Sequence, residues 1–244
     1  MIEDVCYSVV IPAFNEARFL PATLATLEAA MAGVESVGEV IVVDNNSTDG
    51  TAELALEGGA RVVFEPINQI SRARNKGASS ACGKYLIFID ADTLVPASLL
   101  NHALVALNGG MVCGGGATVA INHPNLLLNG AVATWNAIGK ARKIAAGCFL
   151  YCRADAFMEV GGFSEAVYAS EEIWLSLALK KWGRQHQQTF LILEDKAHTS
   201  SRKIDWMSSL DIAKQGFVLL LFPLAVRSKR LCRSWYYRPD NDES

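Results

Sequence analysis

Residues 83–96 read GKYLIFIDADTLVP, and this stretch decides the fold. Tyr85 to Ile89 is an unbroken apolar run of strand length, with Asp90 and Asp92 directly after it. A continuous apolar strand is covered on both faces, as in a parallel sheet flanked by helices. Ligands of open α/β sheets bind at the carboxyl ends of such strands. Two acids one residue apart at that place repel each other unless something neutralises them. A hard divalent cation, Mg2+ or Mn2+, takes oxygen ligands and is shared with phosphates. A structural alternative stays open here: Asp90, Asp92 and Thr93 cap the turn and the helix that begins near Pro96.

The chain before this stretch repeats one unit. Tyr7 to Pro12 reads as a buried strand, followed by the loop AFNEARFL. A helix from about Pro21 carries Leu20, Leu24, Leu27 and Met31 at helical spacing. Glu39 to Val43 is a second strand ending at Asp44. NNSTDGT then supplies turn chemistry, and the helix TAELALE stops at Gly58-Gly59. Arg61 to Glu65 is a third strand, and Ser71 to Cys82 a polar helix. Strands alternating with helices predict βαβ units and a mostly parallel α/β sheet.

After Asp92 the pattern changes. A helix is expected over 97–107 and a glycine-bearing, bulged strand over 111–121. An apolar helix (126–138), a strand (147–152) and the short helix ADAFMEV follow. Ser170 is placed to cap the helix EEIWLSLALKKWG, and 189–193 is a last strand. This half predicts mixed strand directions, with acceptor-side elements added to a nucleotide-binding half. The domain boundary is set at 202, with 203–244 as a C-terminal helical extension. There, Trp206, Leu210, Ala213, Phe217 and Leu221 share a helical face. The apolar run is about half of the ~20 residues that cross a bilayer. A buried or oligomer-forming helix is one reading. Peripheral membrane contact is the other, because RSKRLCR and WYYR follow directly.

Composition narrows the function. The 244 residues are 51% hydrophobic, with net charge −3 and mean hydropathy +0.20. No global basic field exists to hold nucleic acid. The six cysteines are scattered without C-x-x-C, which predicts free thiols and a cytoplasmic protein, bound at most to the inner face of the membrane. MIEDVC runs straight into the first strand, so no signal peptide is expected. G-x-G-x-x-G is absent after the first strand. GASSACGK (77–84) misses a P-loop, because Tyr85 stands where a hydroxyl should hold Mg2+. The four histidines lack zinc spacing, and no G-x-S-x-G elbow is present.

What remains is a set of strand ends: Pro12 to Glu16, Asp44, Asp90 and Asp92, with Arg72 and Arg74 nearby. An acid at a strand end can accept from a base N–H or a ribose hydroxyl, and an arginine fork matches phosphate. A nucleotide diphosphate needs such a set. Asx-turn chemistry for Asp44, turn-only roles for Asp49-Gly50 and solvation of the arginines are the structural alternatives.

SVVIPAFNE, VIVVDNNSTDGT, ARNKGASSACGKYLIFIDADT, GGF and EEIWLSLALKKWG, in that order, resemble glycosyltransferase family 2, nucleotide-sugar enzymes of the GT-A fold. The resemblance covers roughly residues 7–200 and implies a Rossmann-like, mostly parallel sheet. It implies that Pro12, Ala13, Phe14, Glu16 and Asp44 hold the nucleoside, and that Arg74 approaches the nucleotide. Asp90-Ala91-Asp92 matches the D-x-D that binds metal and donor diphosphate. The family's catalytic base lies in an E-D pair, and here Glu171-Glu172 stands there. Glu172 takes the aspartate's place, with Glu171 as the alternative. His198 is implied as a further metal neighbour and Arg202 as a phosphate contact. The implied reaction is metal-dependent (Mn2+ or Mg2+) sugar transfer from a UDP- or GDP-sugar to a carbohydrate, lipid or small-molecule hydroxyl, with inversion. A sugar-phosphate nucleotidyltransferase and a non-catalytic binding module are the alternatives.

Overall fold

The computed structural model describes residues 5–200, 226–228 and 232. Its centre is the strand Tyr85–Ile89, buried at every residue. Seven further strands extend from it: β1 (Tyr7–Ala13), β2 (Gly38–Asp44), β3 (Arg61–Phe64), β5 (Thr93–Leu94), β6 (Val112–Ile121), β7 (Phe149–Arg153) and β8 (Thr189–Thr199), with the central strand as β4. The sheet order is β3-β2-β1-β4-β7-β6-β8-β5. β3, β2, β1 and β4 run parallel, which is the βαβ half that the alternation of elements predicts. β7 lies antiparallel to both β4 and β6, and β6 runs parallel to β8, so the second half is mixed.

Side-chain alternation divides the core between the two faces. Val9, Ile11, Ile87 and Ile89 pack on one side with helices α1 (Leu20–Ala32) and α4 (Ala97–Asn108). Val10, Leu86 and Phe88 pack on the other with α3 (Ile70–Ser80), α6 (Ala154–Glu159) and α7 (Glu171–Gln185). Each fully buried large aliphatic or aromatic side chain contributes about 1.5–3 kcal/mol. Helices α2 (Thr51–Glu57) and α5 (Leu126–Arg142) complete the layers. Pro21 sits in the first turn of α1, where its missing N–H costs nothing. Gly77 explains the near miss for a phosphate loop: a Cβ there would lie 2.3 Å from Val10 Cγ1. It brings α3 close to the sheet and has no phosphate-binding geometry.

Two elements differ from expectation. β8 runs to Thr199, well past residue 193, because its pairing with β6 is irregular near Ala117 and Thr118. Thr118 Oγ1 donates to the carbonyls of Glu194 and Asp195 and so satisfies the bulge. The continued strand pairs with the two-residue β5, with Thr93 opposite Thr199 and Leu94 opposite His198. Ser170 stands at the N-cap of α7, but its side chain makes no cap bond and its φ is +61°. A non-glycine residue held there costs about 1–3 kcal/mol, so its surroundings must impose the conformation. All six cysteines are free, as expected. Among the described residues, no helix is long and apolar enough to cross a membrane. The expected helical face from Trp206 to Leu221, and Arg202, lie outside the described residues.

Candidate active site

The ends of β1 and β2 are laced together. Asn15 N–H donates to Ser47 Oγ, Thr48 N–H to Asn15 Oδ1, and Glu16 N–H to Thr51 Oγ1. Asp49 accepts from Ala17 N–H and from Thr51, so it joins the two loops as well as making a turn. Pro12, Ala13, Phe14 and Glu16 therefore share one rim with Asp44. Asp44 is buried, and its Oδ1 accepts from Ser47 N–H at 2.9 Å. That is the Asx-turn alternative, and it uses one of the two carboxylate oxygens.

Asn45 and Gln69, which the sequence reading passed over, tie this rim to the rest of the cleft. Asn45 donates to the carbonyls of Glu65 and Ile67 and accepts from Gln69 N–H. Gln69 Nε2 donates in turn to the carbonyls of Glu165 and Val167. Arg72 is only partly exposed and pairs with Glu65 and Glu165.

Arg74 is the hub. It is 1% exposed, although the family resemblance implies a direct approach to nucleotide. Its Nη1 donates to Glu171 Oε1 at 2.7 Å, and its Nη2 to Asp90 Oδ1 and to Gly147 O, each at 2.8 Å. Its guanidinium also lies 5.1 Å from the centre of the Phe163 ring. The next residue, Asn75, clasps the backbone of Phe163 through both N–H and C=O. Gly161 and Gly162 precede Phe163 with φ of +83° and +69°, which only glycine adopts without strain. The A-R-N and G-G-F signatures thus meet in space to seat one buried cation.

Asp90 stands 23% exposed at the end of β4. Asp92 is nearly buried, and its oxygens accept from Thr199 Oγ1 at 3.4 Å and Ser200 Oγ at 2.5 Å. Ala91 is buried, with its carbonyl accepting from Thr23 Oγ1 of α1. The pair is held from three elements, far more than turn capping requires. Two carboxylates fit a hard cation that draws its other ligands from phosphate oxygens and water, and the Thr199 and Ser200 hydroxyls would orient the ligand. His198 does not join them. It is exposed and neighbours Thr199, whose side chain alternation sends to the other face of β8. Among the described residues, no three His, Cys, Asp or Glu side chains gather as a metal cage.

Glu171 and Glu172 open α7 in different states. Glu171 is buried and ion-paired with Arg74. Glu172 retains some surface but lies deep among protein groups. Burial pushes its carboxyl up to about 8, with the Glu171 charge the next cause and Asp90 adding to it; a backbone bond and Arg74 oppose the shift. Gly147 lies beside both: a Cβ there would be 3.5 Å from Arg74 Nη2 and 3.7 Å from Glu172 Cδ.

Residues 8–155, more than half of the chain, match the model of "Glycosyl transferase family 2". An uncharacterized glycosyltransferase of Mycobacterium tuberculosis is 38% identical over 103 residues, 42% of this chain and 44% of the relative. The chain thus matches less than half of that relative's length. S. aureus TarS 1-349 in complex with UDP superposes with TM-score 0.64 at 16% identity, covering 91% of this chain and 65% of that one. The mannosyltransferase PcManGT from Pyrobaculum calidifontis in complex with GDP-Man and Mn2+ gives TM-score 0.65 at 18% identity, covering 95% and 69%. These likenesses show the GT-A fold, an α/β architecture with a mixed sheet.

Proposed function

We propose a reaction from one premise: the chain belongs to glycosyl transferase family 2. It is a glycosyltransferase. The finer reading is that it moves a sugar from a nucleotide-diphospho-sugar, a UDP-sugar ahead of a GDP-sugar, to an acceptor hydroxyl. Similar solved structures carry UDP in one case and GDP-Man with Mn2+ in another, which supports the donor class.

In this reading the nucleoside lies on the rim formed by Pro12 to Glu16 and Asp44. Asp90 and Asp92 would hold a divalent cation, which supplies positive charge against the departing diphosphate when bound. Glu172 is the base. The acceptor O–H gives its proton to the Glu172 carboxylate as its oxygen bonds to the anomeric carbon. The bond from that carbon to the diphosphate oxygen breaks with its electron pair, and attack from the opposite face inverts the centre. A carboxylate with a raised pKa is a stronger base near neutral pH. Glu171 does not share this task, because its Oε1 is taken by the Arg74 Nη1 donor.

The observation that carries the reading is the chain of ion pairs from Asp90 through the buried Arg74 to Glu171. It ties the end of β4 to the start of α7, which supports a leaving-group site beside the base. The test is a panel of sugar nucleotides and acceptors, with and without Mn2+, scored for released nucleoside diphosphate. Metal-dependent release is the expected result. Pyrophosphate release would mean a nucleotidyltransferase, and donor binding without turnover across the panel would mean a binding module.

A further inference from the structure

The loop before α7 needs an explanation. It delivers Glu171 and Glu172, yet Ser170 adopts φ +61° without a side-chain cap bond to hold it. Two anchors are visible. From the donor side, Gln69 Nε2 grips the carbonyls of Glu165 and Val167. From the other side comes the far end of the chain. Tyr168 N–H donates to Val226 O at 2.6 Å. Val226 and Cys232 are buried and form one cluster with Val167 and Ala169. Cys232 N–H donates to Ser228 O, and its thiol reaches toward Val226 O. Burial raises the Cys232 thiol, and the Glu171 charge raises it further.

We infer that Val226 and Cys232 are positioning residues of the transfer site: they clamp loop 167–170 and so set the placement of Glu171 and Glu172. The inference rests on the glycosyl-transfer reading for its kinetic consequence. A strained residue stays strained only where its neighbours over-determine it. Val167 and Ala169 flank Tyr168 in sequence, and both bury against this segment, so loosening it frees the backbone directly before Ser170. On the donor side the loop keeps its own anchor, Gln69. The clamp therefore acts on the chemical step and spares donor affinity.

The test uses the full chain. Val226→Ser should lower kcat at least tenfold and leave the donor KM within about twofold, while Val226→Ile retains turnover. Cys232→Ala, a milder change, should show the same split to a smaller degree. Unchanged kcat in Val226→Ser and Cys232→Ala, or kcat and donor binding lost together, overturns the clamp. Native alkylation, followed by peptide mass measurement, reads the contact without turnover. Exposed Cys82 should label quickly and Cys232 slowly; equal labelling overturns the clamp. A wild-type chain with protected Cys232 and no transfer activity would instead count against the reaction.

Discussion

Arg74 Nη1 donates to Glu171 Oε1 at 2.7 Å, joining residues 97 apart in sequence through a buried ion pair. Removing one member of such a pair leaves the other charge buried and uncompensated, at about 3–5 kcal/mol. Arg74→Ala should therefore lower the urea midpoint strongly. Arg74→Met with Glu171→Leu should regain part of that loss, because apolar partners of similar size tolerate burial. A double variant no more stable than Arg74→Ala would show that the pair is not the source of the loss.

Glu172 gives a pH dependence with a definite sign. Its folded pKa, about 8, lies above the ordinary carboxylate value, so the native state binds the extra proton between them. The associated stability is fully present below the unfolded pKa and is lost as pH rises through about 8. Turnover moves the opposite way, rising as the base ionises. Glu172→Gln should be less sensitive than wild type to the rise in pH toward 8 in thermal unfolding and should have little turnover at any pH. Parallel stability–pH curves for the two proteins would contradict the raised carboxyl.

Asp92 offers a readout through binding. If Asp90 and Asp92 hold the cation, Mn2+ with UDP should raise the wild-type melting temperature by mass action. Asp92→Asn should lose most of that rise and at least 100-fold in turnover. An undiminished Mn2+-dependent shift in the variant would move the metal elsewhere.

Gly147 and Gly77 make a contrasting pair. A methyl at Gly147 meets Arg74 and Glu172 at ordinary contact distances, so Gly147→Ala should fold normally and lose turnover. A methyl at Gly77 would collide with Val10 and Val43, so Gly77→Ala should cost about 1–3 kcal/mol by overpacking. Denaturant titration beside a turnover assay separates the two. Equal stability loss in both would contradict the close approach at Gly77.

The parallel half was legible because period and punctuation are local. The expected strand Tyr85 to Ile89 matches β4 residue for residue, and the acids fall at its end. Strand direction was less legible: nothing within FLYCR says that β7 runs against β4. β5 is only two residues long and exists through its pairing with β8, which no local signal announces. Within the candidate site, the motif order singled out Asp90, Asp92 and the two glutamates as candidates. It could not show that Arg74 faces Glu171 or that Gln69 reaches Val167, since those bonds span about the distance from one half of the chain to the other. A buried polar residue such as Asn45 gives a weak clue in hindsight, because it needs partners for each donor and acceptor.

The antiparallel seat of β4 beside β7 also orders events during synthesis. When residues 85–89 leave the ribosome, β1 is ready on one side, but the other neighbour, residues 149–153, is still some sixty residues away. Until then the nascent sheet ends in an open apolar edge, the kind that pairs with the wrong chain. Asp92 waits longer still, for Thr199 and Ser200. A message truncated before codon 149 should thus yield a product that aggregates, whereas one reaching codon 200 closes the edge.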